Sequence, residues 1–423
     1  MNGIPRPRVL VLSRSYPSDV LPTLGLWVQR PTELLADQCD MQVVSPTPWC
    51  PPLPNIGPLR QYSRFRGIPQ EETRRGIPVH RWRFVTGPGR SLYALESRSQ
   101  IASLTRPVGR LRSQFPFDLV HAHMIYPEGA VAHRLARRLG VPFVVTEHAP
   151  WTERWFSSRL VRREALAAAR AATAILAVSS SVQRSIVSYG IDPARVRVVP
   201  IGVDHETFEL GASEHRRADQ VLFVGWINFV KGVDVLLEAM RLLVQRGSPA
   251  RLVLVGGALY RNTRLQEEKL RRMAASLDLG DRVVFLGRRP PAEVARLMAE
   301  SAVVVLPSRA ESFGAVLVEA LACGTPVVAT RCGGPEDIVV PEVGELVPVE
   351  DSDALADAID NVLRNAQRFP PLDLRRYAIE RFSWERVVPA VFDAYAAAGN
   401  HGSHGCRGEG AGREKARVAA RSR

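Results

Sequence analysis

The sequence predicts an α/β protein built from two doubly wound, mostly parallel sheets. Three observations carry this. At 423 residues the chain is too long for one ordinary core, so two or three domains are expected. Short apolar runs alternate from end to end with segments such as "VDVLLEAMRLLVQRG" and "PAEVARLMAES", whose apolar residues recur at three- and four-residue spacing. Continuous apolar strands between amphipathic helices belong to parallel sheets covered on both faces. The alternation also occurs twice, on either side of the polar stretch 204–220, "DHETFELGASEHRRADQ", which has no strand pattern.

The elements follow in order. "RVLVLSR" near the N-terminus has too short an apolar run for a signal-peptide core and reads as a first strand. "MQVVS", "DLVHAHM", "PFVVTEH", "AILAVS" and "RVRVVP" are the further strands of the first half. "QVLFVG", "RLVLVGG", "DRVVFLG", "AVVVLPS" and "TPVVAT" are those of the second. Residues 46–60, "PTPWCPPLPNIGPLR", are expected to be an irregular loop. The Gly-, Ser- and Arg-rich residues 398–423 are expected to be a disordered basic tail. The resulting division is 1–204, 205–382, a last helix at 383–397, and the tail. Such sheets bind ligands at the carboxyl ends of their strands, and two facing sheets would form a cleft between domains.

Composition narrows the classes. A hydrophobic content of 46% suits a globular chain, and no apolar stretch reaches the length of a spanning helix; a cytoplasmic location is expected. Cysteines at 39, 50, 323, 332 and 406 show no Cys-x-x-Cys pair and are odd in number. This argues against a disulfide framework or structural zinc and for buried free thiols. The net charge of +13 is uneven: about +11 over 1–210, about −2 over 211–396 and about +4 in the tail. Basic residues gather at Arg60, Arg64, Arg66, Arg74, Arg75, Arg81 and Arg83, and again at Arg134, Arg137, Arg138, Arg159, Arg162 and Arg163. A solvated surface is one reading. The other is a half that meets an anionic partner: a membrane surface, a phosphorylated substrate or nucleic acid.

The chemistry concentrates in "PSRAESFGAVLVEALACGTPVVAT", residues 307–330. A buried strand leads into the loop "RAES", and a helix starts at Ala315 and stops at "CGTP", where Gly324 fits a left-handed cap with Pro326 beyond it. Phe313 and Gly314 therefore stand at a helix N-terminus, whose free N–H groups and dipole favour an anion. Gly314 removes a side chain that would hold a phosphate or sugar away. Glu319, within the first two turns, can accept a pair of ribose hydroxyls, as carboxylates do in dinucleotide sites. An acidic residue complementing the dipole is the plainer reading of the same position.

As a whole this segment resembles the Glu-x7-Glu signature of the retaining family 4 glycosyltransferases of the GT-B fold. "VLFVGWINFVKGVDVLLEAM" is similar to the segment opening that family's second domain, and "RVRVVPIGVDHETF" to its interdomain crossing. "RVVFLGRRP" resembles the strand beside the nucleotide base. "DLVHAHMIYPEG" and "PFVVTEHAP" resemble first-domain elements carrying the acceptor-side histidine, and "FSWERVVPAVFDAY" the final helix that crosses back onto the first domain. The resemblance implies these roles. Backbone N–H groups around Phe313, Gly314, Ala315 and Val316 hold sugar hydroxyls and phosphate. Glu319 holds the ribose, and Glu311 faces the transferred sugar. Lys231 neutralises charge on the departing diphosphate. His148 is the acceptor-side histidine, and Gly25 lies in a loop approaching donor and acceptor. One departure stands out: the family often has arginine after the glycine of "VG", where this chain has Trp226. Either Lys231 then acts with another group, such as Arg288 or Arg289, or turnover is weak.

Other signals are set aside. Asp351 and Asp353 in "DSD" precede the helix "ALADAIDNVL" and read as N-cap and first-turn acids; no metal is implied. His121 and His123 share a strand face but lack acidic or cysteine partners, so a core-edge or acceptor-side role is expected. "LVGG" is no dinucleotide fingerprint. The implied function is transfer of a sugar from a nucleoside-diphosphate-sugar to a polysaccharide-precursor or glycolipid acceptor. It needs no metal or cofactor, and the protein would be peripheral on an anionic membrane face. Nucleic acid is not an expected partner. A nucleotide-sugar epimerase of the same fold, or a non-catalytic nucleotide-binding subunit, are the alternatives.

Overall fold

A computed structural model of the protein describes residues 6–49, 63–87, 91–211, 216–257 and 261–405. The chain divides into two compact units. One holds the residues up to Val178, those from Val182 to Val199 and those from Val388 onward; the other holds Ser179–Ser181 and Pro200–Val387.

The first unit is an eight-stranded sheet. Its strands are β1 (Arg8–Leu12), β2 (Asp40–Val44), β4 (Glu71–Arg74), β5 (Ile77–His80), β7 (Leu119–His123), β8 (Phe143–Glu147), β9 (Ala174–Ala177) and β10 (Val196–Val198). The order is β10-β9-β8-β7-β1-β2-β5-β4, and every pairing is parallel except the β4–β5 hairpin. Two short strands, β3 (Thr47–Pro48) and β6 (Arg83–Phe84), pair separately. β7, β8 and β9 are buried along their whole length, as expected of strands covered on both faces; their polar members His121, His123, Thr146 and Glu147 are buried with them. The helices are α1 (Leu26–Leu35), α2 (Glu96–Gln114), α3 (Ala130–Leu139), α4 (Arg159–Ala171) and α5 (Ser180–Ser188), the last beginning in the second unit's short segment.

The β4–β5 hairpin escapes the sequence reading because its strand "EETR" is a charged edge strand of alternating exposure. Its turn is marked by Arg75 and Gly76, both left-handed at φ 46° and 81°, as a two-residue hairpin turn requires. Of the Pro-rich loop expected at 46–60, Thr47–Pro48 is strand and residues 50–60 lie outside the described residues.

The second unit is a six-stranded, wholly parallel sheet. It contains β11 (Arg217–Gly225), β12 (Arg251–Gly256), β13 (Val283–Gly287), β14 (Ser301–Leu306), β15 (Val327–Thr330) and β16 (Gly344–Val347). The order β13-β12-β11-β14-β15-β16 is the Rossmann order, with the strand order reversing between β11 and β14. In the first unit the corresponding reversal lies between β1 and β7. The helices are α6 (Val233–Gln245), α7 (Arg261–Ser276), α8 (Pro291–Glu300), α9 (Ala315–Ala322), α10 (Ser352–Arg364) and α11 (Pro371–Phe382). As expected, Asp351 caps α10 by accepting from the Ala354 N–H at 2.9 Å.

The final helix, α12 (Trp384–Gly405), begins in the second unit and continues into the first. It corrects the expectation of disorder from residue 398: extending a formed helix costs far less than nucleating one, and the helix runs through "AGNHGSHG" before residues 406–423, which lie outside the described residues. Among the described residues no helix is long and apolar enough to cross a membrane. Cys39 and Cys323 are buried free thiols and Cys332 is partly exposed; Cys50 and Cys406 are not described.

Candidate active site

In the second unit the candidate residues come from loops after the two strands that flank the reversal. The loop after β11 carries Lys231, and the loop after β14 carries Glu311. Lys231 Nζ lies 2.5 Å from Glu311 Oε2, with side-chain exposures of 21% and 14%. Each partner is fixed by its own backbone surroundings. The Lys231 N–H donates to Asn228 Oδ1 at 2.9 Å, and the Ser312 N–H to Glu311 Oε1 at 3.1 Å. A second clamp, missed in the sequence, joins the same loops. Arg309 donates to both carboxylate oxygens of Asp234 at 2.7 and 2.8 Å, to Glu350 at 2.7 Å and to the Phe229 carbonyl. These bonds to carboxylates raise its pKa further and hold the fork bidentate.

Gly314 is the N-cap of α9 at φ 97° and ψ 47°, a conformation other residues adopt only with strain. The first-turn N–H groups of α9 lack a carbonyl one turn back, and Ala315 and Val316 are both partly exposed there. Phe313 is 2% exposed, its ring edge-on to Phe382 at 5.9 Å, so only its backbone faces the site. The turn Gly333-Gly334 closes over it: the Gly334 N–H donates to the Glu311 carbonyl at 2.9 Å, and a Cβ on Gly334 would lie 2.3 Å from Phe313 Cα. Glu319 stands in the second turn of α9, partly exposed, and burial pushes its carboxyl up to about 7. Gly324 is left-handed at φ 77°, as the cap reading required.

Arg288, after β13, is exposed, and its Cγ would lie 3.5 Å from a Cβ on Gly257. It makes no ion pair or hydrogen bond among the described residues, whereas Arg289 is taken by Glu293 at 3.2 Å. Neither is bonded to Lys231. Trp226 is partly buried after β11.

In the first unit, Gly25 is the left-handed N-cap of α1 at φ 85°. A Cβ there would lie 2.0 Å from the Ser15 carbonyl oxygen, so the loop after β1 closes only on glycine. His148 follows β8. Its Nε2 lies 2.9 Å from Nδ1 of His123 at the end of β7, the rings stacked at 15°, and its own Nδ1 is buried without a partner. Burial holds His148 down at about 4 and His123 well below the usual imidazole range, so both are neutral near pH 7. Beside them Glu147, fully buried, accepts from the N–H groups of Ile125 and His148 at 3.0 Å and from the Trp151 indole at 3.1 Å. Burial pushes its carboxyl up to about 7 against these bonds. Glu147 was missed by the sequence reading; a carboxylate ending the apolar run "PFVVTE" was the available signal.

His121 is a core residue, as one of the two expected roles had it. Its Nδ1 meets Tyr395 Oη at 2.7 Å and its Nε2 meets Thr146 Oγ1 at 2.8 Å. Tyr395 lies on α12 and so ties the final helix to β7.

In the first basic cluster Arg74, Arg75, Arg81 and Arg83 have partners within the chain. Arg81 is 2% exposed, donating to Glu72 and to the carbonyls of Tyr16 and Pro17. Arg74 pairs with Asp19 and Glu72, and Arg75 with Glu33. Arg83 donates to the carbonyls of Phe65 and Ile68. Buried guanidinium groups need such partners; the β4–β5 hairpin supplies Glu72, and the segments around Tyr16–Pro17 and Phe65–Ile68 supply the carbonyls. Arg60 lies outside the described residues.

Residues 33–207 match the profile of Glycosyltransferase Family 4, and residues 210–381 that of Glycosyl transferases group 1. The D-inositol 3-phosphate glycosyltransferase of Acidothermus cellulolyticus is 32% identical over 356 residues, 77% of this chain and 78% of that protein. Among solved structures, sucrose-phosphate synthase of Thermosynechococcus elongatus superposes with a TM-score of 0.75 at 22% identity, over 92% of this chain and 98% of that one. Anabaena HepE in complex with UDP gives 0.72 at 21% identity, over 92% and 100%.

Proposed function

The chain belongs to the group 1 glycosyl transferases of family 4, with the GT-B fold, and on that premise we propose that it moves a sugar from a nucleoside-diphosphate-sugar to an acceptor hydroxyl with retention at the anomeric carbon. The observation that carries this is Lys231 set against Glu311 beside the Gly314-capped helix that bears Glu319. A diphosphate at the N-terminus of α9 would meet helix N–H groups and the Lys231 ammonium, the charge that its departure requires. Glu319 would accept the ribose hydroxyls. Glu311 would face the sugar, and His148 Nδ1, a buried nitrogen without a partner, would meet a sugar or acceptor hydroxyl. No metal or cofactor enters this scheme.

The donor nucleotide is proposed to be UDP-linked, in keeping with the UDP complex of the HepE neighbour. A polysaccharide-precursor or glycolipid acceptor is the first reading. The names of the curated relatives favour a second, a phosphorylated cyclitol. The test is nucleoside-diphosphate release from a panel of sugar nucleotides, with and without D-inositol 3-phosphate or a lipid-linked saccharide, followed by assignment of the product anomer. Release only with acceptor and retained configuration is expected. Inverted product, or epimerised donor without transfer, would overturn the reading.

A further inference from the structure

Arg138 of the second basic cluster stands with two arginines outside both clusters, Arg106 and Arg110. α2 and α3 pack against each other and leave between them a groove of about 440 Å³ lined by Arg106, Gly109, Arg110, Ser113, Leu135 and Arg138 among others. The three arginines are exposed, and none makes an ion pair or hydrogen bond among the described residues. The nearby carboxylates are taken: Glu164 holds Arg98 and Arg134, and Asp118 holds Arg8. Arg106 and Arg110 stand one turn apart on one helix face, where like charges repel, and Arg138 approaches from the other helix.

Gly109 adds an independent observation. It sits inside a 19-residue helix, where glycine weakens the helix relative to alanine. No atom lies within 4 Å of the Cβ it lacks, so nothing in the chain demands glycine there, and its effect is to keep the groove open. The groove also lies away from the candidate residues of its own unit. The C-terminal ends of α2 and α3 lead directly into β7 and β8, which puts Arg110 and Arg138 toward the amino ends of those strands. His148 and Glu147 lie at the carboxyl ends.

We propose that this groove is a second ligand site, one that binds a phosphate group carried by a molecule other than the sugar donor. Guanidinium forks match phosphate oxygens in charge and geometry, and the volume suits a small ligand. The phosphate belongs either to a soluble phosphorylated metabolite or to an anionic phospholipid headgroup.

The test uses the full chain with inorganic pyrophosphate as probe, and vesicles of phosphatidylcholine with and without phosphatidylglycerol. Pyrophosphate binding should weaken tenfold or more in Arg110→Ala and in Gly109→Leu, whose side chain enters open space and leaves folding intact. It should change less than twofold in Arg137→Ala, on the same helix as Arg138 but outside the groove. Lys231→Ala should keep groove binding, which separates this site from the donor reading. Sedimentation with phosphatidylglycerol vesicles that Arg110→Ala abolishes identifies a lipid headgroup; pyrophosphate binding without sedimentation identifies a soluble ligand. Absence of binding to either probe, or equal losses in Arg110→Ala and Arg137→Ala, would overturn the proposal.

Discussion

Lys231 and Glu311 form a close ion pair across 80 positions of sequence, Nζ to Oε2 at 2.5 Å. The two residues given separate roles by family resemblance, one for the phosphate and one for the sugar, are thus coupled in the fold. A double-mutant cycle should expose this. Lys231→Ala should lower kcat by about 100- to 1,000-fold, the range for removing one group that stabilises transition-state charge. Lys231→Ala/Glu311→Ala should lose clearly less than the product of the single losses. Strict additivity would separate the roles again.

Glu319 carries a linked pair of expectations. Its carboxyl is raised from 4.5 to about 7 by burial, so the folded protein binds more protons there than the unfolded chain between those values. The stability contributed by the neutral form is full at low pH and is lost as pH rises through about 7. Glu319→Gln should therefore be more stable than wild type at pH 8, by about 1–3 kcal/mol. It should also bind nucleoside diphosphate about 10- to 100-fold more weakly, through loss of a charge-assisted bond pair. Thermal unfolding and calorimetric titration check both. Unchanged nucleotide affinity in the folded variant would reject the ribose role.

The histidines have the opposite sign. His121 at about 3 and His148 at about 4 lie below the ordinary 6.5 because burial disfavours the imidazolium. The folded chain binds fewer protons at these sites below pH 6.5, so their contribution to stability is lost as pH falls. In proton-detected titrations both should remain neutral down to pH 5. An inflection in the rate profile near pH 7 should shift in Glu319→Gln or in Glu147→Gln, whose carboxyls burial raises to about 7, and persist in His148→Asn. An inflection that follows His148 would reverse the assignment.

Tyr395 should matter for the first unit although it lies in the last helix. Tyr395→Phe removes the hydroxyl at 2.7 Å from His121 Nδ1 and leaves a buried nitrogen unpaired. The expected loss is about 1–3 kcal/mol in denaturant unfolding, with nucleotide affinity unchanged.

Chelation tests the proposed chemistry from another side. With Lys231 and the α9 N–H groups meeting the diphosphate, transfer should continue at full rate in excess EDTA. Loss of activity that magnesium or manganese restores would place a cation in the mechanism.

The sequence by itself determined the two α/β units, most strands, the Gly314 and Gly324 caps of α9 and the Glu311–Glu319 spacing. These are local signals: a strand buried on both faces is mostly apolar, and a left-handed cap favours glycine. The charged hairpin strand Glu71–Arg74 was illegible because an edge strand has no buried face to pattern. Only the tertiary structure decided who partners whom. The sheet order brings the loops after β11 and β14 together, pairing Lys231 with Glu311 and Arg309 with Asp234, and sets His123 against His148. It also separates arginines that look alike in the sequence: Arg81 is buried among carboxylate and carbonyl acceptors, while Arg106, Arg110 and Arg138 converge on a groove without one. Charge is a property of the residue, but its partner is set by strand order and helix packing between segments far apart in the chain.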